Sequence, residues 1–348
     1  MNKSFIILLL LFTSLSSQAQ NQAHKKVLKL MGSRFEITAV SDDEALAWES
    51  INACIEEVTR IEKVISSWDE NSQTSKINRD AGIAPVVVDK ELFDLIARAK
   101  KISDLTNGAF DISYASVDKI WKFDGSVKDL PTAEEVAQSV SKINYQNIIL
   151  NYDDHSVFLK EAGMKIGFGA IGKGYAANRG REIMRSMGIK SGIVNASGDL
   201  LTWGKEADGS DWTIGIADPK NKTHVLGWLN VGEMAVVTSG NYEKFIDING
   251  KRYSHIIDPR TGYPVQGLKS VTIICPNAEL SDALATSVFV LGKEKGLALI
   301  NQLKGIECFL VDDHDELSYS NNLKLNYYKN NTVAEQDTTL YNVGHEKN

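Results

Sequence analysis

What is scarce in this chain narrows the field first. Three cysteines, Cys54, Cys275 and Cys308, are spread over 348 residues with no C-x-x-C pair. That excludes a disulfide framework and a cysteine zinc site. They read as buried thiols, of which one pair could bridge in an oxidising compartment. Basic charge is also in deficit: 38 Lys and Arg face 45 Asp and Glu, a formal net charge of −7. This balance argues against nucleic acid as a partner, so an anionic ligand must be held by a local cluster or a metal. Long apolar runs are missing too, apart from "SFIILLLLFTSL" at residues 4–15. That run falls short of the ~20 apolar residues a bilayer span needs. With Lys3 before it and the small residues Ser17 and Ala19 after it, it predicts a leader, residues 1–19, cleaved after Ala19 for export. No cysteine precedes Cys54, so nothing offers itself for lipid attachment.

What remains is patterned like a globular domain without internal repeats. "HKKVLKLMGSRFEITAV" alternates like an edge strand pair, and a long amphipathic helix follows from a capped turn at Ser41–Glu44. "DKELFDLIARAKKISDLTNG" predicts a second helix stopped by Asn107-Gly108. The short runs "NIIL", "SVFL" and "MKIGF" read as strands, and "KGYAANRGREIMRSMG" as a helix ending at Gly188. Strand runs then dominate up to "KSVTIICP", before a last helix, "LSDALATSVFVLG". Strands clustered between single helices predict a mixed-sheet α+β fold in one domain over residues 24–329. Residues 330–348 are polar and patternless, which predicts a loose tail.

The stretch "KIGFGAIGKGYAANR", residues 165–179, approaches two nucleotide motifs at once. Gly167, Gly169 and Gly172 satisfy G-x-G-x-x-G, and Gly172-Lys173 completes most of a phosphate loop. The phosphate loop fails at Gly174, where a Ser or Thr should hold Mg²⁺. The dinucleotide reading fails because the next strand ends in Asn195, with Asp199 beyond another glycine turn.

Chemistry concentrates elsewhere. "YSHIIDPRTGYP" places His255, Asp258 and Arg260 at the exit of one strand: a base, a carboxylate and a phosphate fork. The plainer alternative is a tight Asp-Pro-Arg-Thr-Gly turn. Asp282 and Thr286 stand at i and i+4 on one helix face, hard oxygen ligands of the kind Mg²⁺ takes. The alternative there is a Ser281-capped helix with Asp282 set against its dipole. Thr238-Ser239-Gly240 follows a strand, as a nest of amides for an anion would.

These pieces occur in an order that resembles the ApbE family, the FAD:protein FMN transferases. "MGSRFEI", "SSWDENSQTSKIN", "TNGAFDIS", "GAIGKGYAAN", "VNASGDL", "VTSGNYEKF", "HIIDPRTGYP" and "DALATSVFVLG" carry the resemblance from about Met31 to Leu291. It implies a T-fold-like α+β architecture and an exported, Mg²⁺-dependent enzyme. Such an enzyme would move FMN from FAD, its substrate, to a Thr or Ser of an acceptor protein and release AMP. It implies Asp282, Thr286 and the Ala170 carbonyl as metal ligands and His255 as the base. Met31, Asp111, Lys173, Thr238 and Ser239 would contact the flavin nucleotide. The glycines of 167–174 would let the backbone approach it. The implied acceptor is an exported electron-transfer protein. The enzyme itself is expected in the periplasm or at the outer face of the inner membrane, soluble after leader cleavage and in peripheral association with a membrane redox complex. Gly167, Gly172, Ser197 and Ile112 depart from the family's usual Asp, Ala, Gly and Pro. Two rival functions share the same residues: an FAD pyrophosphatase, with water replacing the protein hydroxyl, and an exported flavin-binding protein without turnover.

Overall fold

The computed structural model describes residues 20–117, 120–121, 123, 130–217, 225–242, 245–248, 251–324, 326–327 and 341–343. The expected leader, residues 1–19, lies outside them. The centre is an eight-stranded sheet in the order Gln22–Leu30, Ser33–Ser41, Ser191–Ala196, Asp199–Trp203, Met234–Gly240, Leu268–Cys275, Glu307–Asp312 and Leu317–Tyr319. Every neighbouring pair is antiparallel. Among the described residues, six α-helical segments accompany it: α1 (Glu44–Ile65), α2 (Gln73–Arg79), α3 (Lys90–Leu105), α4 (Ala133–Ser139), α5 (Gly172–Ser186) and α6 (Ala278–Ile300), the last kinked at Gly292.

The sheet is covered on both faces, which explains its nearly continuous apolar strands. Val194, Leu201, Val237, Ile273 and Leu310 belong to one core together with Val58 and Ile61 of α1, Ala176 of α5, and Leu284 and Val288 of α6. Their immediate neighbours Ile193, Leu200, Val236, Ile274 and Phe309 belong to a second core. That core is completed by Trp212, Ile214, Leu229 and Val231 from a smaller sheet built on Trp212–Ala217 and Val225–Val231. Alternation at a period of two thus assigns successive residues to opposite layers. A third, smaller cluster joins Trp121, Val136, Ile246, Ile248 and Ile257 around the hairpin Phe245–Ile248/Lys251–Ser254.

Local chemistry sets the element ends. Asp43 caps α1 by accepting from Leu46 N–H at 3.0 Å. Asn107 and Gly108 take positive φ (51° and 73°) and stop α3, as expected. The run "MKIGF" is not a strand. Lys165 N–H donates to Ser116 Oγ (2.7 Å) and Ile166 N–H to Asn78 Oδ1 (2.8 Å), so side chains take the place of a partner strand. Two short helices were not anticipated, α2 and α4. The latter opens with a capping box between Thr132 and Glu135. Of the tail expected to be loose, Tyr341–Val343 pairs parallel with Ile214–Ile216. The three cysteines are free and buried, and burial pushes the Cys54 thiol up to about 12.

Candidate active site

The last helix begins four residues earlier than a Ser281 cap would place it. Asn277 is the cap, accepting from Leu280 N–H at 2.9 Å. Asp282 therefore sits beyond the first turn of its own helix. Asp282 Oδ2 accepts Gly174 N–H from α5 at 3.0 Å. That contact requires the two helices to touch. A Cβ at Gly174 would lie 2.1 Å from the Ala278 carbonyl oxygen and 2.8 Å from Asp282 Cβ. The residue that spoils the phosphate-loop pattern is thus a packing glycine, with room for no side chain.

The Ala170 carbonyl precedes α5. Tyr175 N–H closes the ordinary helical turn onto Ile171 O at 3.0 Å. Ile171 is the N-cap, so this is the first intrahelical bond; Gly174 N–H is one of the donors that a helix start leaves open, and it goes to Asp282. Asp282, Thr286 and Ala170 all line one cleft of about 470 Å³. Among the described residues no three or more His, Cys, Asp or Glu side chains form a metal cage. The oxygen donors here are one carboxylate, one hydroxyl and one carbonyl.

Four more of the expected residues line this cleft: His255, Lys173, Thr238 and Ser239. His255 follows the strand Lys251–Ser254 at a bend, half-buried, with the Phe123 ring edge-on at 6.5 Å. Lys173, in the first turn of α5, is ion-paired with Asp199, whose side chain is 5 % exposed. Thr238 Oγ1 lies 2.8 Å from Thr272 Oγ1, and Ser239 Oγ lies 3.4 Å from Thr286 Oγ1. The amide nest expected at Thr238–Gly240 is not formed. These residues lie inside the Met234–Gly240 strand, in register with Thr272, Val271 and Ser270, so their amides run along a ladder instead of converging.

Asp111 also borders the cleft, but its carboxylate is committed to the fold. Oδ1 accepts Ser113 N–H (2.7 Å) and the Ser113 hydroxyl (2.6 Å), and Oδ2 accepts Tyr145 N–H (2.8 Å). Burial raises its pKa above the ordinary carboxyl value, against the pull of those bonds. Met31 lies outside the cleft lining, in the two-residue turn Met31-Gly32, where both φ are positive (49° and 71°). Its N–H donates to Glu62 Oε2 at 3.0 Å, and its side chain packs near Gly172. Arg260 is not a free phosphate fork. Nε and Nη2 bond both oxygens of Asp258 at 2.8 and 2.7 Å, and neither residue lines the cleft.

The glycine-rich stretch divides by function. Gly169 has open space around it and faces the cleft, whereas Cβ atoms at Gly172 and Gly174 would strike Ile65 and Ala278. None of the glycines from 167 to 174 has positive φ, so it is contact rather than conformation that excludes side chains there. Two cleft residues were missed by reasoning from sequence. Asp199 was weighed only as an acid for a dinucleotide fold. Trp68, 81 % exposed on the cleft's rim, enters the sequence reading only inside the motif "SSWDENSQTSKIN".

The family model described as "ApbE family" matches residues 31–310, a span that contains every candidate site residue. The chain belongs to the ApbE family. It is 32% identical over 311 residues to a Klebsiella pneumoniae protein named FAD:protein FMN transferase, covering 89% of this chain and 95% of that one. Among solved structures, the ApbE protein of Thermotoga maritima aligns with a TM-score of 0.79 at 32% identity, over 86% of this chain and 97% of that one. The flavinyl transferase ApbE of Pseudomonas stutzeri, in its apo form, aligns with a TM-score of 0.77 at 25% identity, over 87% and 96%. The mixed α+β architecture expected from sequence is the architecture these ApbE structures share, and the family's curated members are enzymes.

Proposed function

We propose that this protein transfers the FMN half of FAD to a Thr or Ser hydroxyl of an acceptor protein, with Mg²⁺ in the cleft, and releases AMP. The observation that carries the reading is the convergence of Asp282, Thr286, Ala170, Lys173 and His255 on one cleft. A carboxylate, a hydroxyl and a carbonyl that precedes the helix suit a hard cation that completes its shell with water and phosphate oxygens. Held there, Mg²⁺ would supply charge neutralisation at the pyrophosphate.

The chain's own residues account for the rest. Lys173 directs a cationic donor at the phosphates. His255 takes the proton from the acceptor hydroxyl as its oxygen attacks the FMN phosphorus. The pyrophosphate P–O bond breaks, and AMP leaves with the electron pair. Trp68 on the rim offers a flat apolar face to a planar ring. The leader expected at residues 1–19 supports an exported enzyme, with an exported electron-transfer protein as acceptor, at or near a membrane redox complex.

The test is AMP release from FAD with Mg²⁺, with and without an FMN-accepting domain whose mass is read in parallel. Acceptor-dependent AMP with an FMN mass increment is the expected result. AMP without acceptor would make the protein a pyrophosphatase, and bound FAD with no AMP would make it a flavin-binding protein. His255→Ala should slow transfer about 10²–10⁴-fold, the worth of general-base catalysis, with FAD binding retained. Wild-type transfer in that variant would remove His255 from the chemistry.

A further inference from the structure

We infer that Asp199 is a positioning residue for the transfer, acting through Lys173; the inference rests on the function proposed above. Asp199 opens the strand Asp199–Trp203 immediately after the turn Ser197-Gly198, where both residues have positive φ (60° and 99°). Gly198 N–H is held by Asn195 Oδ1 at 2.8 Å, and Ala196 pairs with Asp199 across the hairpin. The Asp199 carboxylate is therefore fixed by backbone geometry and by burial. Its partner Lys173 comes from the first turn of α5, which is itself seated against α6 through Gly174. Both members of the pair line the cleft.

A carboxylate is a poor choice beside a dinucleotide if affinity is the aim. It cancels part of the positive charge that draws the phosphates in. What it provides is geometry. A lysine ammonium is a point charge with three donors on a flexible stem. With Asp199 engaging it, the ammonium is held at one place in the cleft wall instead of swinging on its stem. A preset donor matters most where charge develops during reaction, and less for holding the ground state. Asp199 would thus favour turnover at some expense of binding.

The experiment compares Asp199→Asn, Asp199→Glu and wild type in the full chain. Three quantities are read: FAD affinity by flavin fluorescence, single-turnover AMP release with an FMN-accepting domain, and thermal stability. Asp199→Asn should turn over roughly 10- to 100-fold more slowly, the scale of a reacting group misplaced by about an ångström. Its FAD affinity should be unchanged or tighter, because a negative charge has gone. Asp199→Glu, which restores the carboxylate, should recover part of the lost rate. Wild-type turnover in Asp199→Asn would overturn the inference. So would a parallel loss of FAD affinity, rate and stability, which would make Asp199 a structural wall residue. If wild-type protein itself releases no AMP, the proposed function has failed and this inference with it. If wild type transfers and Asp199→Asn matches it, the inference fails alone.

Discussion

Two acid–base pairs lie in or beside the cleft, and they are built in opposite ways. Asp258 and Arg260 are two residues apart and close on each other inside one turn, with both guanidinium bonds directed back at the turn's own carboxylate. Lys173 and Asp199 are separated by a helix and a strand and meet only because α5 and the Ser191–Trp203 hairpin fold together. The local pair is the one that sequence crowding advertised as a phosphate fork. The distant pair is the one that lines the cleft. Proximity in sequence most readily satisfies a turn, whereas a binding site needs groups whose positions are set from several directions.

The largest expected effect strikes the seat of the distant pair. Gly174→Ser would install the side chain a phosphate loop requires, 2.1 Å from the Ala278 carbonyl oxygen. Backbone lies on both sides, so α5 and α6 must separate. Overpacking costs about 1–3 kcal/mol and occasionally more, and a clash with backbone belongs at the upper end. We expect a melting temperature lower by several degrees, together with loss of transfer as Asp282 is displaced from Gly174 N–H. Gly169→Ser is the control, because nothing lies within 4 Å of its Cβ position. Its melting temperature should stay near wild type. Equal destabilisation of the two variants would refute the division of this stretch into a packed part and an open part.

Next in size is the contrast between the cations themselves. Lys173→Gln removes a charged donor from the cleft and should weaken FAD binding at least tenfold. Hydrogen bonds to charged groups contribute about 1.5–3 kcal/mol. Arg260→Gln removes a guanidinium already committed to Asp258 and should leave FAD affinity within about threefold of wild type, since a surface pair contributes about 0–1 kcal/mol. Titration of both variants with FAD decides the matter. An Arg260→Gln defect as deep as that of Lys173→Gln would restore Arg260 as a phosphate ligand.

The same contrast explains what the sequence disclosed. Elements whose signals are local were legible: the hairpin Gln22–Ser41 from its alternation, α1 from its apolar stripe, and Asp282 with Thr286 from their one-turn spacing. The turn at Asp258 was legible too, and Gly262 takes the positive φ expected there (79°). "MKIGF" misled because its backbone groups are met by Ser116 and Asn78, residues 49 and 88 positions away. The cap of α4, Thr132 with Glu135, is itself a local signal, a capping box three residues apart. Asp199 needed tertiary information: nothing near it in sequence announces a lysine 26 residues upstream. Asp111 and Met31 were drawn from the resemblance, and here the first supports backbone amides while the second forms a hairpin turn.

The smallest expected effect concerns the turn that delivers Asp199. Ser197 holds φ at 60°, where a side chain is strained. A left-handed conformation costs an L-residue roughly 1–2 kcal/mol. Glycine would remove that cost but bring about 0.4–1 kcal/mol of extra chain entropy to the unfolded state. The two nearly cancel, and the strain term is the larger. Ser197→Gly should therefore stabilise the protein by about 0.5 kcal/mol and raise its melting temperature slightly. Turnover should stay within twofold of wild type, because the Ala196–Asp199 pairing that sets the carboxylate is unchanged. A clear fall in turnover without a fall in stability would mean that the serine side chain itself, and not only the turn it occupies, serves the cleft.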